Sequence, residues 1–316
     1  MTTTSSTATL YVAGNINIDL IMGTLRQWPA RGTEAMLDYS ALRPGGSAGN
    51  CVLALAALGT PHRAVANQGN DHFSGWLAKH FADSAPHWPR YDCETSLTVG
   101  ITHPDNERTF FSNQGHIVRL SQQDVLRQLP EKATPGDRVL LCGTFLCLRL
   151  FEDYADLLAA LRQRGFAVAV DTGWPPQGWN RDIRRRIAGW LKYCDYLLLN
   201  EVETQGLADN PDLKIGGRRL AEQLAPDGAC VIKRGREGAM LVDNQEVIVR
   251  AAEPVTVIDT IGAGDSFNAG FLSALLYGHN RRQALYWGIR VAGQAISSSP
   301  RRYPDRAALQ SYTGEE

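Results

Sequence analysis

The sequence predicts an α/β fold: a three-layer α/β/α sandwich with a mostly parallel central sheet, and a small additional β-sheet. Between residues 139 and 233, short apolar runs alternate with helical segments, which is the pattern of a parallel sheet covered by helices on both faces. Two other segments, about 15–43 and 95–113, are rich in strand-like runs and carry no helical pattern. They can therefore pair into a separate small sheet. The 316 residues, 44% of them hydrophobic, suit one large domain of this kind.

The charge and the apolar pattern exclude several classes of protein. The formal net charge is −1, so binding to nucleic acid by phosphate neutralisation is not expected. No apolar run is long enough to span a bilayer, and the N-terminal residues lack the basic and apolar regions of a signal peptide. The six cysteines form no CxxC pair. We expect a cytoplasmic protein with a disordered tail over residues 1–8 and a single domain over residues 9–316.

In the first third of the chain, the sequence pattern predicts short strands and helices separated by turns. Leu10–Ala13 is an apolar strand, and irregular strands follow it up to residue 43. Ser47 is positioned to cap the next helix, over residues 51–58. The pattern then predicts a strand at 63–68, a helix at 73–81, and two strands at 97–102 and 108–112 joined by a turn at 104–106.

The rest of the chain alternates strands and helices. The predicted strands cover residues 139–142, 166–171, 196–199 and 229–233. The helices among them cover residues 154–164, 181–192 and 218–224. A helix opened by glycines follows at 262–277, where apolar side chains recur at three- and four-residue spacing. A last helix is predicted at 283–296.

The most informative segment, residues 259–267, reads D-T-I-G-A-G-D-S-F and places small residues where a helix begins. Because Gly262, Ala263 and Gly264 lack bulky side chains, a ligand can approach the backbone closely. The free N–H groups of the first turn and the positive helix end attract an anion, as phosphoryl transfer requires. Asp265 is placed to accept a proton from an attacking hydroxyl. Spacing alone equally allows Asp265 a simple capping role.

Six motifs in chain order resemble those of the ribokinase-like (PfkB) carbohydrate kinases. D-T-I-G-A-G-D resembles the C-terminal signature of that family, and G-G-S-A-G-N at 45–50 resembles its first signature. The other matches are G-N-I-N-I-D at 14–19, G-N-D-H-F-S-G at 69–75, N-E-V-E at 200–203, and K-R-G with a later glycine at 233–238. The family fold, a three-layer sandwich with a small β-sheet lid, agrees with the fold class stated above.

The resemblance implies an ATP-dependent phosphotransferase that phosphorylates a hydroxyl, most simply a hydroxymethyl group, of a small sugar or sugar derivative. Asp265 would be the general base, and Gly262, Ala263 and Gly264 would supply a backbone anion hole. The residues that would bind the acceptor are Asn17, Asp19, Gly45, Gly46, Asn50 and Arg108.

The resemblance also implies the cofactors. Magnesium keeps most of its waters, so Asn200 and Glu203 would suffice to organise it near the phosphates of ATP. A monovalent cation such as K⁺ would lie near Asp259. The residues that would contact the nucleotide are Asn200, Glu203, Lys233, Gly235, Gly238 and Thr260.

Segments 15–43 and 95–113 correspond to the lid in this family. Lid closure excludes water, which would otherwise be phosphorylated. Arg108 lies on the lid hairpin and is placed either to touch an anionic group of the substrate or to remain solvated. Exposed lid sheets pair between subunits, which implies a homodimer.

Several positions depart from the family pattern. Phe145 stands about where ribokinases offer a glutamate to the sugar, and Ser47 replaces a lysine of their glycine motif. Both changes argue against ribose. Asp171 is followed by T-G-W-P, without the asparagine and arginine found in many fructokinase-like members.

Three other functions are weighed against a sugar kinase. A nucleoside kinase on the same fold is the nearest alternative. A non-catalytic regulator that binds sugar or nucleotide is the second, and the presence of Asp265 argues against it. A dinucleotide-dependent oxidoreductase is excluded because no GxGxxG follows the first strand.

Overall fold

The computed structural model describes residues 8–105 and 107–310, and within them twelve strands and eleven α-helices. All but one residue of the predicted tail, and Asn106 of the predicted hairpin turn, lie outside the described residues. The strands are β1 (Leu10–Gly14), β2 (Asn17–Gly23), β3 (Tyr39–Gly45), β4 (His62–Val65), β5 (Leu97–Thr102), β6 (Arg108–Ser112), β7 (Arg138–Cys142), β8 (Ala167–Asp171), β9 (Tyr196–Asn200), β10 (Ala229–Lys233), β11 (Ala239–Val242) and β12 (Val247–Arg250).

The helices follow the strands in the predicted alternation. None of those described is long and apolar enough to cross a membrane. They are α1 (Ser47–Ala57), α2 (His72–Lys79), α3 (Gln122–Gln128), α4 (Leu148–Glu152), α5 (Tyr154–Gln163), α6 (Arg181–Ala188), α7 (Glu201–Ala208), α8 (Leu213–Ala221), α9 (Ala263–Leu276), α10 (Arg281–Ile296) and α11 (Arg306–Gln310).

The strands form two sheets. The large sheet has the order β12-β11-β10-β9-β8-β7-β1-β4, and it is parallel from β10 to β4. At one edge, β11 pairs antiparallel with β10, and β12 pairs antiparallel with β11. The small sheet has the order β3-β2-β5-β6 and contains the two segments predicted to form it. The predicted fold class is therefore confirmed.

Two apolar cores, one on each face of the large sheet, hold the sandwich together. On β7, Leu140 packs into the core under α1, α9 and α10. Its neighbours Val139 and Leu141 pack into the other core, under α5, α6 and α8. This alternation follows from the two-residue period of a strand. Each fully buried leucine contributes about 1.5–3 kcal/mol relative to an exposed one.

The structure corrects three predictions of local structure. Helix α1 begins at Ser47, not at residue 51, and Gly46 rather than Ser47 is its N-cap, without a side-chain hydrogen bond. Helix α8 begins five residues earlier than predicted because the Asp212 carboxylate accepts bonds from Lys214 N and Ile215 N. The antiparallel hairpin of β11 and β12, and helices α3, α4, α7 and α11, were not predicted. Their segments are too short for periodicity to identify them.

The connection from β3 to α1 is sterically demanding. A Cβ atom at Gly45 would lie 2.0 Å from Asp19 Oδ2, and one at Gly46 would lie 2.4 Å from Asn15 O. The backbone here thus runs directly against the start of β2. Gly49 differs, because a Cβ atom there would make ordinary contacts of 3.5 Å with Ile16 and Phe81.

Alanine at these two glycines is expected to have opposite effects. Gly45→Ala should lower the free energy of unfolding by roughly 1–3 kcal/mol, because backbone and carboxylate must move apart. Gly49→Ala, its matched control inside α1, should raise it by about 0.5–1 kcal/mol through helix propensity. Urea denaturation of both variants measures this. Equal effects at the two positions would contradict the steric argument.

Candidate active site

The carboxyl ends of the parallel strands bring polar side chains to one edge of the large sheet. Asn15 follows β1, and Asp171, Asn200 and Lys233 are the last residues of β8, β9 and β10. Ligands of open α/β sheets bind at this edge. The N-terminus of α9 and the small sheet also border it, since Lys233 lies beside Gly264 and Asn15 donates a hydrogen bond to Asn17 of β2. The predicted residues thus converge on one region.

The N-terminus of α9 carries the predicted base. Gly262 is its N-cap, in the left-handed region with φ of 69°, and Asp265 is its third residue. Asn50, on α1, donates a hydrogen bond of 2.9 Å from Nδ2 to Asp265 Oδ2. The first-turn N–H groups have no partner within the helix. This turn therefore combines backbone donors for an anion with a carboxylate at one side.

Loss of solvation raises the pKa of Asp265 to about 7, and the nearby charge of Asp171 adds to this rise. The hydrogen bond from Asn50 and the positive charges of Lys233 and Arg301 act in the opposite direction. A carboxylate with a pKa near neutrality is suited to exchange protons with a hydroxyl. The structure thus gives Asp265 a property that capping alone would not require.

The start of β2 places the predicted acceptor residues in a hydrogen-bonded row. Asn15 Nδ2 donates to Asn17 Oδ1 at 3.2 Å, and Asn17 Nδ2 donates to Asp19 Oδ1 at 2.8 Å. All three side chains are buried. Desolvation raises the pKa of Asp19 to about 6, against the hydrogen bond from Asn17 and the charge of Arg43. The row offers amide and carboxylate groups of the kind that bind vicinal hydroxyls.

An ion pair of low exposure lies against the first turn of α9. Lys233 Nζ donates to Asp171 Oδ2 at 2.6 Å, and Asn268 Nδ2 donates to the same oxygen at 2.6 Å. Burial alone would lower the pKa of Lys233, but Asp171 and Glu203 raise it above its usual value. Lys233 is therefore a fixed positive charge, and its Nζ lies 3.5 Å from the position of a Cβ at Gly264.

Asn200 and Glu203 form a reciprocal capping box at the start of α7. Asn200 N donates to Glu203 Oε2 and Glu203 N donates to Asn200 Oδ1, both at 2.8 Å. Each bond uses one oxygen, and Glu203 keeps a second carboxylate oxygen. This donor set fits a hydrated Mg²⁺, which needs few protein ligands besides phosphate. No cluster of three or more His, Cys, Asp or Glu suited to a metal occurs in the described residues.

The other residues that were predicted to contact the nucleotide border the same region. Gly235 and Gly238 lie in the turn between β10 and β11. Thr260 is exposed, and its carbonyl oxygen accepts a hydrogen bond of 3.2 Å from Ala263 N.

Asp259 is surrounded by arginines. Arg43 Nη1 lies 2.8 Å from Asp259 Oδ2, Arg108 Nη1 lies 3.2 Å from Oδ1, and Arg301 Nη2 lies 3.6 Å from Oδ2. Although burial opposes it, a hydrogen bond from Ile261 N and the charges of Arg43 and Arg108 hold the pKa of Asp259 below its usual range. Three guanidinium groups around one carboxylate repel a further cation. The residues present do not fit the predicted monovalent cation.

Sequence reasoning assigned no site role to four residues that the structure brings into the site, because they lie outside the six motifs matched to the family. For Asp171, its position at the end of a predicted parallel strand was a usable signal. For the others, only three-dimensional proximity reveals the role. The missed residues are Asp171, Asn268, Arg43 and Arg301.

Comparison with known proteins identifies the family. Residues 7–306 match the model described as pfkB family carbohydrate kinase. The chain belongs to the pfkB family. The predicted family is thereby confirmed, and membership implies a sugar or nucleoside kinase that uses ATP.

Individual relatives of this pfkB protein are distant. It is 27% identical to a fructokinase from Klebsiella pneumoniae over 242 residues, 73% of this chain and 76% of that protein. It is 25% identical to a nucleoside kinase from Methanothermobacter thermautotrophicus, over 85% of this chain and 83% of that protein. A putative ribokinase II from E. coli, solved with ATP and Mg²⁺, superimposes with a TM-score of 0.80 at 16% identity, covering 96% of this chain and 98% of that chain. At this identity the superposition shows the shared fold alone.

The raised pKa of Asp265 predicts a pH-dependent effect of Asp265→Asn on stability. The pKa of Asp265 is higher in the folded protein than the value of about 3.9 in the unfolded chain. Folding therefore favours protonated Asp265, and this contribution to stability is fully present only at low pH. That contribution is lost as pH rises through about 7. Relative to wild type, Asp265→Asn should therefore gain roughly 1–4 kcal/mol of unfolding free energy between pH 5 and pH 8.5.

Urea denaturation at the two pH values measures this gain. Asp156→Asn, on the exposed side of α5, is the control. A pH-independent difference between Asp265→Asn and wild type would show that the folded pKa of Asp265 is not raised.

Proposed function

We propose that this protein transfers the γ-phosphoryl group of ATP to a hydroxyl, most simply a hydroxymethyl group, of a small sugar or sugar derivative. The single observation that carries the proposal is the position of Asp265. It lies in the first turn of α9, bonded to Asn50 and close to the positive charge of Lys233. A carboxylate with a pKa near 7 at a helix N-terminus has the properties of a general base beside an anion site.

In this mechanism the acceptor hydroxyl lies against Asp265, which takes its proton as the hydroxyl oxygen attacks phosphorus. Asn50 holds one oxygen of Asp265 and so orients the other toward the hydroxyl. Asn17 and Asp19 fix the acceptor by hydrogen bonds to its other hydroxyls. The small sheet that carries Asp19 covers the acceptor and excludes water.

The phosphate side of the reaction needs positive charge that is already in place. Ala263 N already donates to Thr260 O, so the N–H groups of Gly262 and Gly264 would stabilise the charge that develops on the equatorial oxygens, and Lys233 stands beside Gly264. Asp171 and Asn268 keep Lys233 from moving. Asn200 and Glu203 would hold Mg²⁺ through water, and Mg²⁺ supplies further neutralisation of the phosphate charge.

A nucleoside kinase is the second candidate for the same site, and the nucleoside kinase among the relatives supports keeping it. It requires a surface on which the base of a nucleoside can stack. Phe110 and Tyr39, on the small sheet, are 51% and 44% exposed and are available for this. A panel of acceptors that includes nucleosides decides between the two candidates.

The first experiment measures ADP release from Mg·ATP with a panel of sugars, sugar acids and nucleosides, for wild type and Asp265→Asn. Because the base acts in the transition state, Asp265→Asn should lower kcat by about 10²–10⁴ with little change in KM. For wild type, kcat/KM should rise with pH and level off above about 7, since only ionised Asp265 accepts the proton.

Two results would count against this assignment. Turnover that survives the Asn substitution would remove Asp265 as the base. Binding of ATP without turnover of any acceptor would favour the non-catalytic regulator. Asp156→Asn again serves as the control.

We also propose that the protein forms a homodimer through the small sheet. Leu42 and Phe111 are 40% and 53% exposed, and the register of the sheet places them on the face turned away from Asp19. Large apolar groups that share one exposed face indicate an interaction surface. Sedimentation velocity should give a dimer for wild type and a monomer for Phe111→Glu. A monomeric wild type would refute the proposal.

A further inference from the structure

Two arginines share one face of the small sheet with the acceptor residues. Arg43 is directly opposite Asp19 in the pairing of β3 with β2, and directly opposite residues project to the same face. Asp19 is also opposite Thr98, four residues before Thr102 on β5, and Thr102 is opposite Arg108 on β6. By the two-residue period, Arg43, Arg108 and Asp19 all lie on one face. A weak hydrogen bond of 3.4 Å from Arg108 Nε to Thr102 Oγ1 agrees with this register.

A third arginine reaches the same place from the other side of the site. Arg301 Nη2 donates to Ile261 O, and Arg301 Nη1 lies 3.0 Å from the position of a Cβ at Gly262, the N-cap of α9. Arg43 and Arg301 both favour ionisation of Asp19, so both lie near it. The three arginines therefore line the space between Asp19 and the anion hole, where the acceptor binds in the proposed function.

The arginines carry more donors and more charge than Asp259 satisfies. Each guanidinium has five N–H donors and a full positive charge, whereas Asp259 has two oxygens and one negative charge. Arg43 Nε is buried and has no hydrogen-bond partner among the described residues. Arg108 and Arg301 have side chains only 9% and 16% exposed, so water does not easily satisfy their remaining donors. A buried donor without a partner costs about 1–3 kcal/mol.

Other carboxylates nearby do not remove this excess. Asp19 is bonded to Asn17, and Asp265 is bonded to Asn50. The ion pairs that Arg43, Arg108 and Arg301 form within the described residues are all with Asp259. Asp259 instead holds the three guanidinium groups in a fixed arrangement, with donors left for a second anion.

We infer that the acceptor carries an anionic group, a phosphate or a carboxylate, which Arg43 and Arg108 bind from the small sheet and Arg301 binds from the core. This inference rests on the proposed function and names the class of its acceptor. Arginine suits such a group because its planar fork pairs with two oxygens at once. The acceptor then spans the site, with its reacting hydroxyl at Asp265 and its anionic end between the small sheet and Asp259.

The test compares matched acceptors with and without an anionic group. Fructose is paired with fructose 1-phosphate and fructose 6-phosphate, and glucose is paired with gluconate, so that every anionic member keeps a free hydroxymethyl group. For wild type, kcat/KM should be at least about tenfold higher for the anionic member of a pair. The phosphate and carboxylate arms distinguish the two sources of the charge.

Variants of the arginines connect this preference to the site. Arg43→Gln and Arg108→Gln should each lower kcat/KM for the anionic acceptor roughly 10- to 100-fold, with a much smaller effect on the neutral one. Arg108→Lys keeps the positive charge but not the planar guanidinium group. Its kcat/KM for the anionic acceptor should therefore lie between the values of wild type and Arg108→Gln. Arg282→Gln, which changes an exposed arginine of α10, is the matched control and should leave both values unchanged.

Binding is measured in parallel as the shift of the thermal midpoint of wild type and Arg43→Gln caused by each acceptor and by inorganic phosphate. A shift with anions in wild type that Arg43→Gln loses supports the inference even where an acceptor is not turned over. The inference would be overturned if wild type had equal kcat/KM for neutral and anionic acceptors. It would also be overturned if the glutamine variants lost kcat/KM equally for both kinds of acceptor. The role of the arginines would then be to hold the small sheet. Thermal shifts without an anion preference would also overturn it.

Failure of the proposed function is distinct, because turnover would then persist in Asp265→Asn or occur with no acceptor.

Discussion

The hydrogen bond from Asn50 to Asp265 is the contact on which the arrangement of the site depends. It joins α1 to the first turn of α9, and these helices pack together in the same core. The start of α1 is in turn fixed by Gly45 and Gly46 against the row from Asn15 to Asp19. One amide therefore links the position of the base to the position of the acceptor residues. Without it, the carboxylate could rotate within its turn and lose its alignment with a bound hydroxyl.

Two groups of charges near Asp265 differ in kind. In one, Lys233 is paired with Asp171 and bonded to Asn268, so that one positive charge faces one negative charge in the pair. In the other, three arginines share the single carboxylate of Asp259. A balanced pair is suited to hold its place while phosphate is bound and released. An unbalanced cluster is suited to recognise a charged ligand.

The fold was predictable from sequence to a large extent, because strand–helix alternation and glycine-opened turns are local signals. Strands β5, β6 and β10 have the predicted bounds, and the family motifs led to Asp265, Asn50 and Asp19. The arginine cluster was not predictable, because its members are far apart in sequence. Arg43 and Arg108 meet through the register of the small sheet, and Arg301 joins them beside the start of α9. From sequence alone, a single arginine is interpreted as a solvated surface residue, because its partners are not known. The cation predicted near Asp259 failed to fit for the same reason: the motif carried the carboxylate but not its surroundings.

The position of β1 in the large sheet has a consequence for the order of events during synthesis. Strand β1 lies between β4 and β7, and Leu10 pairs with both His62 and Arg138. Its second edge therefore stays open until more than 130 residues have left the ribosome. Closing a loop of that length is slow compared with local pairing, and an open apolar strand edge favours aggregation. The N-terminal third of this protein is thus the part that most needs protection while the chain is being made.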